Sequence, residues 1–287
     1  MLGASIAFPL LAEDEPSSDT PFQIEDFAPD SGRYTVTGGI GYNTSDSRNI
    51  NVSTTAIPIA HGYALLLPEV IVDDRRRDTL FATLGLRYAF NQSLNLNLGL
   101  KGDTSRSLIQ NNNETSAEYD SGWRTISAGF DYRFTQLYDQ PYVLGFAEIA
   151  IAERNDGATD SGKTATFGAS SHWAFDPVIL SLTGTYTHLR SRKIKGKQQN
   201  PGDIFGIGMS IGLAMNPEIS FRAGVNQSFR TNSKTTNQQD YWNASTAFTL
   251  GYVQRLTPSL AMNINAQGGV AGNHTAQIST SFTWRPN

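Results

Sequence analysis

From about Arg33 onward, apolar and polar residues alternate in stretches of about ten to fourteen residues. The clearest stretch is LNLNLGLK at 94–101, where four leucines share one parity and Asn95, Asn97, Gly99 and Lys101 share the other. Because successive side chains of a strand point to opposite faces, this period of two predicts strands with one apolar and one polar face. Strands of globular proteins are usually about five or six residues long, so these strands are about twice the usual length.

The links between the strands alternate between short and long ones. The short turns contain Pro, Asn or Asp and lie at 91–93, 176–177, 216–217 and 257–258. The long polar links run through 107–118, 155–162, 191–202 and 232–241. This sorting is typical of an up-and-down barrel in an outer membrane, in which periplasmic turns are short and extracellular loops are long.

Alternation by itself also fits a soluble barrel whose apolar face points inward. Three features favour a membrane barrel instead. A tilted strand of ~10 residues spans about 25 Å, the height of the apolar band of a membrane barrel. The apolar faces carry almost no charge along their middle, and aromatic residues such as Phe90, Phe134, Phe175 and Trp284 lie at strand ends, as in an interfacial girdle. We therefore predict an all-β, antiparallel transmembrane β-barrel in the outer membrane of a Gram-negative bacterium.

The number of strands depends on how residues 33–72 are divided. Eleven strands begin near residues 79, 94, 123, 142, 164, 178, 203, 218, 243, 259 and 275. Counting the apolar run 64–72 as one more gives twelve strands, the favoured number, and counting a weaker hairpin over 34–42 and 50–54 as well gives fourteen. A barrel of this size encloses a lumen wider than its wall side chains can fill, which predicts a channel.

The chain divides into three parts. Residues 1–12 contain a short apolar stretch that ends in a small residue, which predicts a signal-peptide remnant. Residues 13–32 carry seven acidic residues and no basic one, which predicts a periplasmic or plug segment. Residues 33–287 form the predicted outer-membrane barrel.

Composition excludes several functional classes. The chain has no Cys, a net charge of −4, 17% charged residues and no apolar run long enough for a transmembrane helix. The net negative charge does not indicate the basic surface that a nucleic-acid-binding protein needs. The four histidines, His61, His172, His188 and His274, are scattered, and no catalytic spacing accompanies them. We expect no enzyme activity, no cofactor and no metal.

The polar face of the strands supplies the candidate lumen lining, and mixed charges and amides there suit passage better than tight binding. The predicted pore-lining residues are Arg87, Asn95, Asn97, Lys101, Asp103, Asp131, Arg133, Glu148, Arg222, Asn226, Arg230, Asn263, Asn265 and Gln267. Lipid and lipopolysaccharide are the expected surroundings. The basic loop 190–197 is expected to be solvated, with a clamp on lipopolysaccharide phosphates as the alternative.

Several motifs resemble the Fap-type functional-amyloid secretion channels, which lie near the outer-membrane transporters of the meta-pathway phenol-degradation group. They are Asn200-Pro201-Gly202-Asp203 with the strand after it, Arg76-Arg77-Asp78-Thr79 leading to Leu86-Arg87-Tyr88, and Leu256-Thr257-Pro258-Ser259. The resemblance covers roughly residues 33–284. It implies a twelve-stranded, homotrimeric pore that exports amyloid subunits and is gated by an N-terminal plug. On that analogy the plug residues are Phe22, Ile24, Glu25, Asp26 and Phe27.

Three hypotheses about function follow. The first is a gated secretion pore for an unfolded polypeptide of the amyloid-subunit type. The alternative is a porin-like channel for uptake of small solutes, aromatic ones among them. The third is a non-conducting barrel that serves adhesion or scaffolding through its Asn-rich loops.

Overall fold

The computed structural model describes residues 32–58, 64–111, 114–135, 141–155, 158–194, 197–231, 234–235, 238–239, 243–271 and 274–286. The predicted leader and plug residues, up to residue 31, lie outside these ranges. No helix within the described ranges has the length and apolar character needed to cross a membrane.

Seventeen strands make up the described secondary structure. In chain order they are β1 (Tyr34–Pro58), β2 (Ala64–Ala89), β3 (Leu94–Asn111), β4 (Glu114–Arg133), β5 (Tyr142–Asn155), β6 (Ala158–Asp160), β7 (Thr164–Phe175), β8 (Val178–Leu189), β9 (Arg192–Ile194), β10 (Lys197–Asn200), β11 (Ile204–Asn216), β12 (Ile219–Arg230), β13 (Lys234–Thr235), β14 (Gln238–Gln239), β15 (Asn243–Thr257), β16 (Leu260–Ala271) and β17 (His274–Trp284).

Twelve of these strands close into one antiparallel barrel. Each pairs with the next barrel strand along the chain, β4 pairs with β5, and β1 pairs with β17 to close the sheet. The short strands β6, β9, β10, β13 and β14 lie in the links between the long ones. The predicted fold class and the favoured strand number are therefore confirmed.

The division of residues 33–72 differs from the prediction. The two halves of the predicted weak hairpin belong to one strand, β1, and the run 64–72 continues into the strand predicted from residue 79 to form β2. The register of β1 and β2 is unbroken from Tyr34↔Tyr88 to Pro58↔Ala64. Pairing of β1 with β17 ends at Asp46↔His274. Beyond that point β1 and β2 remain paired with each other and continue as a ribbon that extends past the barrel wall. Above the lipid no apolar face is required, which explains why the alternation fades there.

The short turns close one end of the barrel, at which β1 begins and β17 ends. Two of these turns are fixed by an asparagine side chain. Asn91 Oδ1 accepts hydrogen bonds from the backbone N–H of Ser93 and Leu94, both at 2.8 Å. Asn216 Oδ1 accepts equivalent bonds from Glu218 and Ile219. Asparagine favours such turns because its side chain imitates a backbone acceptor.

Burial is inverted relative to a water-soluble domain. Among the residues whose burial is described, ten polar or charged ones are buried but only five hydrophobic ones, whereas large apolar side chains such as Met209 and Leu250 are 64% exposed. The aromatic residues Phe90, Phe134, Phe175 and Trp284 are 49–66% exposed near the short-turn end. The apolar face of the barrel therefore points outward and the polar face points into the lumen, as in transmembrane barrels.

Candidate transport lumen

The predicted pore-lining residues all fall on the inward parity of their strands. On β3, for example, Asn95 is buried while its neighbours Leu96 and Leu98 are exposed on the outer face. The same parity places Glu148 between the inward Phe146 and Ala150 on β5. The members of this set are spread around the barrel on β2, β3, β4, β5, β12 and β16.

A charged arc runs along the inner face from β2 to β7. Arg87 on β2 pairs with Asp131 on β4, and because β3 lies between those strands the pair crosses it on the concave side. Arg124 Nε lies 2.6 Å from Asp103 Oδ1, and Arg124 Nη2 lies 2.7 Å from Asp120 Oδ2. The sequence predicted Asp103 and Asp131 as lining residues, but it did not identify Arg124, which sits at an irregularity between β3 and β4.

An arginine from an extracellular loop enters this arc. Arg192 Nη2 donates to Thr164 Oγ1 at 3.2 Å, and Arg192 Nη1 lies 3.7 Å from Glu153 Oε1. Thr164 donates to Glu153 at 2.7 Å, and both residues are buried. The expectation of a solvated loop is therefore wrong for Arg192. We call Arg192, Glu153 and Thr164 the loop clasp, because these contacts hold the start of the loop against the inner wall in the extracellular half of the lumen.

The opposite arc, from β8 round to β1, is lined mainly by small residues. Its middle carries Gly, Ser, Thr and Asn at inward positions and no charged group among the described residues. Inward members are Thr183, Thr185, Gly206, Gly208, Ser210, Gly224, Thr249, Gly251, Asn263, Asn265, Ser279, Ser281, Gly39 and Gly41. At the middle height of the barrel, charge and bulk are therefore concentrated on one side of the lumen.

Two inward aromatic rings lie flat on the wall because glycines leave room for them. A Cβ added to Gly41 would collide with the Phe81 ring, and one added to Gly168 would collide with the Phe146 ring. Lys101 Nζ lies 5.2 Å from the centre of the Phe81 ring. Glycine at these positions therefore keeps the lumen open while presenting aromatic faces to it, a role that alternation alone did not reveal.

The close packing of the inner wall leads to a prediction about two glycines of β1. An alanine at Gly41 would also meet Ser279 Cβ at 2.8 Å and Ile278 O at 2.9 Å, so we expect Gly41→Ala to cost about 1–3 kcal/mol by overpacking. Gly38 has no atom within 4 Å of the added Cβ, so Gly38→Ala is the matched control and should be neutral or slightly stabilising. Urea unfolding in lipid vesicles measures both, and equal stabilities would contradict the close packing at Gly41.

Histidines occupy two hydrogen-bonded positions. His172, which is 5% exposed, lies 2.8 Å from Ser181 Oγ through Nδ1 and 3.1 Å from Ser170 Oγ through Nε2. His188 Nδ1 lies 2.9 Å from Asp203 Oδ1. The His172–Ser181 contact joins the neighbouring strands β7 and β8, and the His188–Asp203 contact joins β8 to the residue before β11.

Asp203 fastens the base of the extracellular link between β8 and β11. It accepts hydrogen bonds from Tyr186 Oη at 2.8 Å and from the Leu189 backbone N–H at 3.2 Å, and its own N–H donates to Thr231 Oγ1 at 2.7 Å. Burial raises the pKa of this carboxyl, but the contacts with Tyr186, Leu189 and His188 outweigh burial and hold the pKa below its usual range. The carboxylate therefore stays charged at neutral pH.

No family model and no curated protein sequence matches the chain. Among solved structures, the COG4313 outer membrane channel from Pseudomonas putida F1 aligns over 96% of this chain and 100% of its own, with a TM-score of 0.60 and 11% identity. The fold is that of a Gram-negative outer-membrane barrel.

Two autotransporter barrels share the same fold. The transport unit of AIDA-I from Escherichia coli aligns over 87% of this chain and 89% of its own, with a TM-score of 0.52 and 12% identity. The translocator domain of NalP from Neisseria meningitidis aligns over 90% of each chain, with a TM-score of 0.52 and 10% identity. These likenesses, together with the outward apolar face, confirm the predicted location in the outer membrane.

Proposed function

We propose that this barrel is a passive outer-membrane channel for the uptake of small solutes, aromatic ones among them. The observation that carries the proposal is the loop clasp, which holds Arg192 against Glu153 and Thr164 inside the barrel. The clasp places a charged side chain on the wall of the extracellular half of the lumen, where a small solute needs less clearance than a polypeptide.

The dimensions of the barrel support this reading. A sheet of twelve strands, spaced ~4.8 Å apart and tilted ~40°, closes into a backbone cylinder of radius roughly 12 Å. Inward side chains that project ~5 Å leave a passage of radius roughly 7 Å, and the charged arc narrows it further. A single aromatic ring fits such a passage.

The aromatic preference rests on the inner wall. Phe81 and Phe146 lie flat against Gly41 and Gly168 and are half-exposed. Aromatic rings associate by offset stacking and edge contacts with ring faces of this kind, each worth about 0.5–1.5 kcal/mol beyond area burial. These two faces give an arene weak holding points along a lumen that is otherwise polar.

A second candidate is secretion of an unfolded polypeptide, with residues 13–32 as the gate. The small-residue arc supports it, since Gly, Ser and Thr present few groups that would retain a sliding chain. On this reading Phe22, Ile24, Glu25, Asp26 and Phe27 occupy the lumen mouth, and deleting 13–32 turns a silent barrel into a strongly conducting one. Steady currents from both the full chain and the deletion favour the solute channel.

The loop clasp gives the direct test. We expect Arg192→Ala to raise single-channel conductance roughly twofold in planar bilayers, because a constriction controls the resistance of a pore. Arg190→Ala is the matched control, since Arg190 is exposed two residues earlier and should leave the conductance unchanged. Liposome swelling with benzyl alcohol then measures solute uptake as the excess over protein-free liposomes, because this small neutral alcohol also crosses bare lipid. A full chain that passes neither ions nor benzyl alcohol would sink the channel proposal.

A further inference from the structure

Arginines gather at the short-turn end of the lumen. Arg87 and Arg255 lie two residues before the ends of β2 and β15, Arg133 is the last residue of β4, Arg222 is the fourth residue of β12, and Arg285 directly follows β17. All five fall on the inward parity of their strands and are buried or half-buried. We call these five residues the arginine ring.

Acidic groups at this end are few in the part of the chain that the structure describes. Among the described residues, Asp131 is the only acid within four strand positions of the short turns, and it pairs with Arg87. The turns add Asp176 and Glu218, which are exposed. In the extracellular half, by contrast, Arg124 and Arg192 each face nearby carboxylates, so positive and negative groups are mixed there. The lumen is therefore electrically asymmetric along its axis, with a cationic periplasmic end.

Several donors of the arginine ring are not used by the wall. Arg133 is 8% exposed, and its buried Nη1 has no hydrogen-bond acceptor within the described ranges. The buried Nε atoms of Arg87 and Arg255 also have none. A cation withdrawn from water without a full set of acceptors is costly, and an entering anion offsets that cost. A carboxylate suits the site, because its two oxygens match the planar guanidinium donors.

The arginine ring leaves room for such an anion. The Cβ position of Gly251 lies 3.4 Å from Arg222 Nε, so the Arg222 side chain lies along the wall instead of crossing the lumen. Asn263 and Asn265 on the adjoining β16 add amide groups at the same face. The passage beside Arg222 is therefore not crossed by its side chain.

We propose that the arginine ring is a recognition site for small organic carboxylates, and that the solutes of this channel are aromatic acids. The aromatic faces of Phe81 and Phe146 hold the arene, and the arginine ring draws its carboxylate toward the periplasm. This inference rests on the proposed function and names the substrate class for the same lumen.

Binding of benzoate to the full chain in detergent micelles tests the site without requiring conduction. Calorimetric titration should show benzoate binding at least about tenfold more tightly than benzyl alcohol, since a carboxylate accepts charge-assisted hydrogen bonds from guanidinium groups and a hydroxyl does not. The double variant Arg222→Gln, Arg255→Gln should lose most of that preference. The control pair Arg76→Gln, Arg106→Gln removes the same charge from exposed outward positions and should keep it. Heat-modified mobility in electrophoresis establishes that all variants are folded.

The outcomes distinguish failure of the carboxylate site from failure of the channel function. Equal affinity for benzoate and benzyl alcohol, no binding of benzoate, or a preference retained in the ring variant overturns the inference. If liposomes still take up benzyl alcohol in that case, the channel function stands without the anion site. If benzoate binds at the ring but neither solute crosses liposomes, the site stands and the channel function fails.

Discussion

Replacing Met209 with arginine is expected to destabilise the barrel by about 2–4 kcal/mol, the cost of a guanidinium in the apolar band of a transmembrane barrel. Met209 lies in the middle of β11, is 64% exposed on the outer face, and is flanked there by Leu182 and Val225 of the adjacent strands. No polar group of those neighbours is available to the new charge. Equilibrium urea unfolding from lipid vesicles measures the change in free energy.

The adjacent residue supplies the control. Ser210 points inward onto the small-residue arc, with Ser181 and Gly224 beside it. Ser210→Arg should change stability by less than about 1 kcal/mol, because the new guanidinium reaches lumen water. Equal losses at both positions would mean that the assignment of the outer and inner faces is wrong.

The second large effect is expected at Asp131. Asp131→Asn removes the carboxylate partner of Arg87, at a position two residues before the nearly buried Arg133 on β4. Removing one partner of a largely buried pair is strongly unfavourable, about 3–5 kcal/mol when fully buried. Since the Arg87 and Asp131 side chains are each 21% exposed, we expect about 2–3 kcal/mol here.

A double-variant cycle separates this interaction from a general packing defect. Arg87→Gln combined with Asp131→Asn removes both charges, so its loss should fall short of the sum of the single losses by about 1 kcal/mol or more. Additive losses would show that the pair contributes no coupling and that each variant acts through packing alone. The same vesicle unfolding assay serves all three variants.

Much of the fold follows from sequence because lipid imposes a simple requirement on each strand. Wherever a strand crosses the apolar band, alternate residues must be apolar, so β3, β11 and β17 could be located from the pattern. The Asn and Pro turns could be located for a similarly local reason. The inward parity of Asn95, Asp131 and Arg222 follows from the same alternation.

Other features depend on contacts between distant parts of the chain. The ribbon of β1 and β2 extends past the lipid, where alternation carries no information. The inward turn of Arg192 depends on Glu153, which is buried in a different strand. The arginine ring is visible only once the register brings residues from β2, β4, β12 and β15 to one end. The glycines beneath Phe81 and Phe146 likewise acquire meaning only through pairing across strands.

The seam between β1 and β17 has a consequence for how the chain folds. Its eleven residue pairs, from Val36↔Trp284 to Asp46↔His274, join segments about 250 positions apart, the most expensive kind of contact to form early. Until they form, the sheet has two free edges, and free edges invite pairing with other chains. Barrel closure is therefore the step at which productive insertion competes with aggregation, and the β1–β17 seam is where a folding helper would have to act.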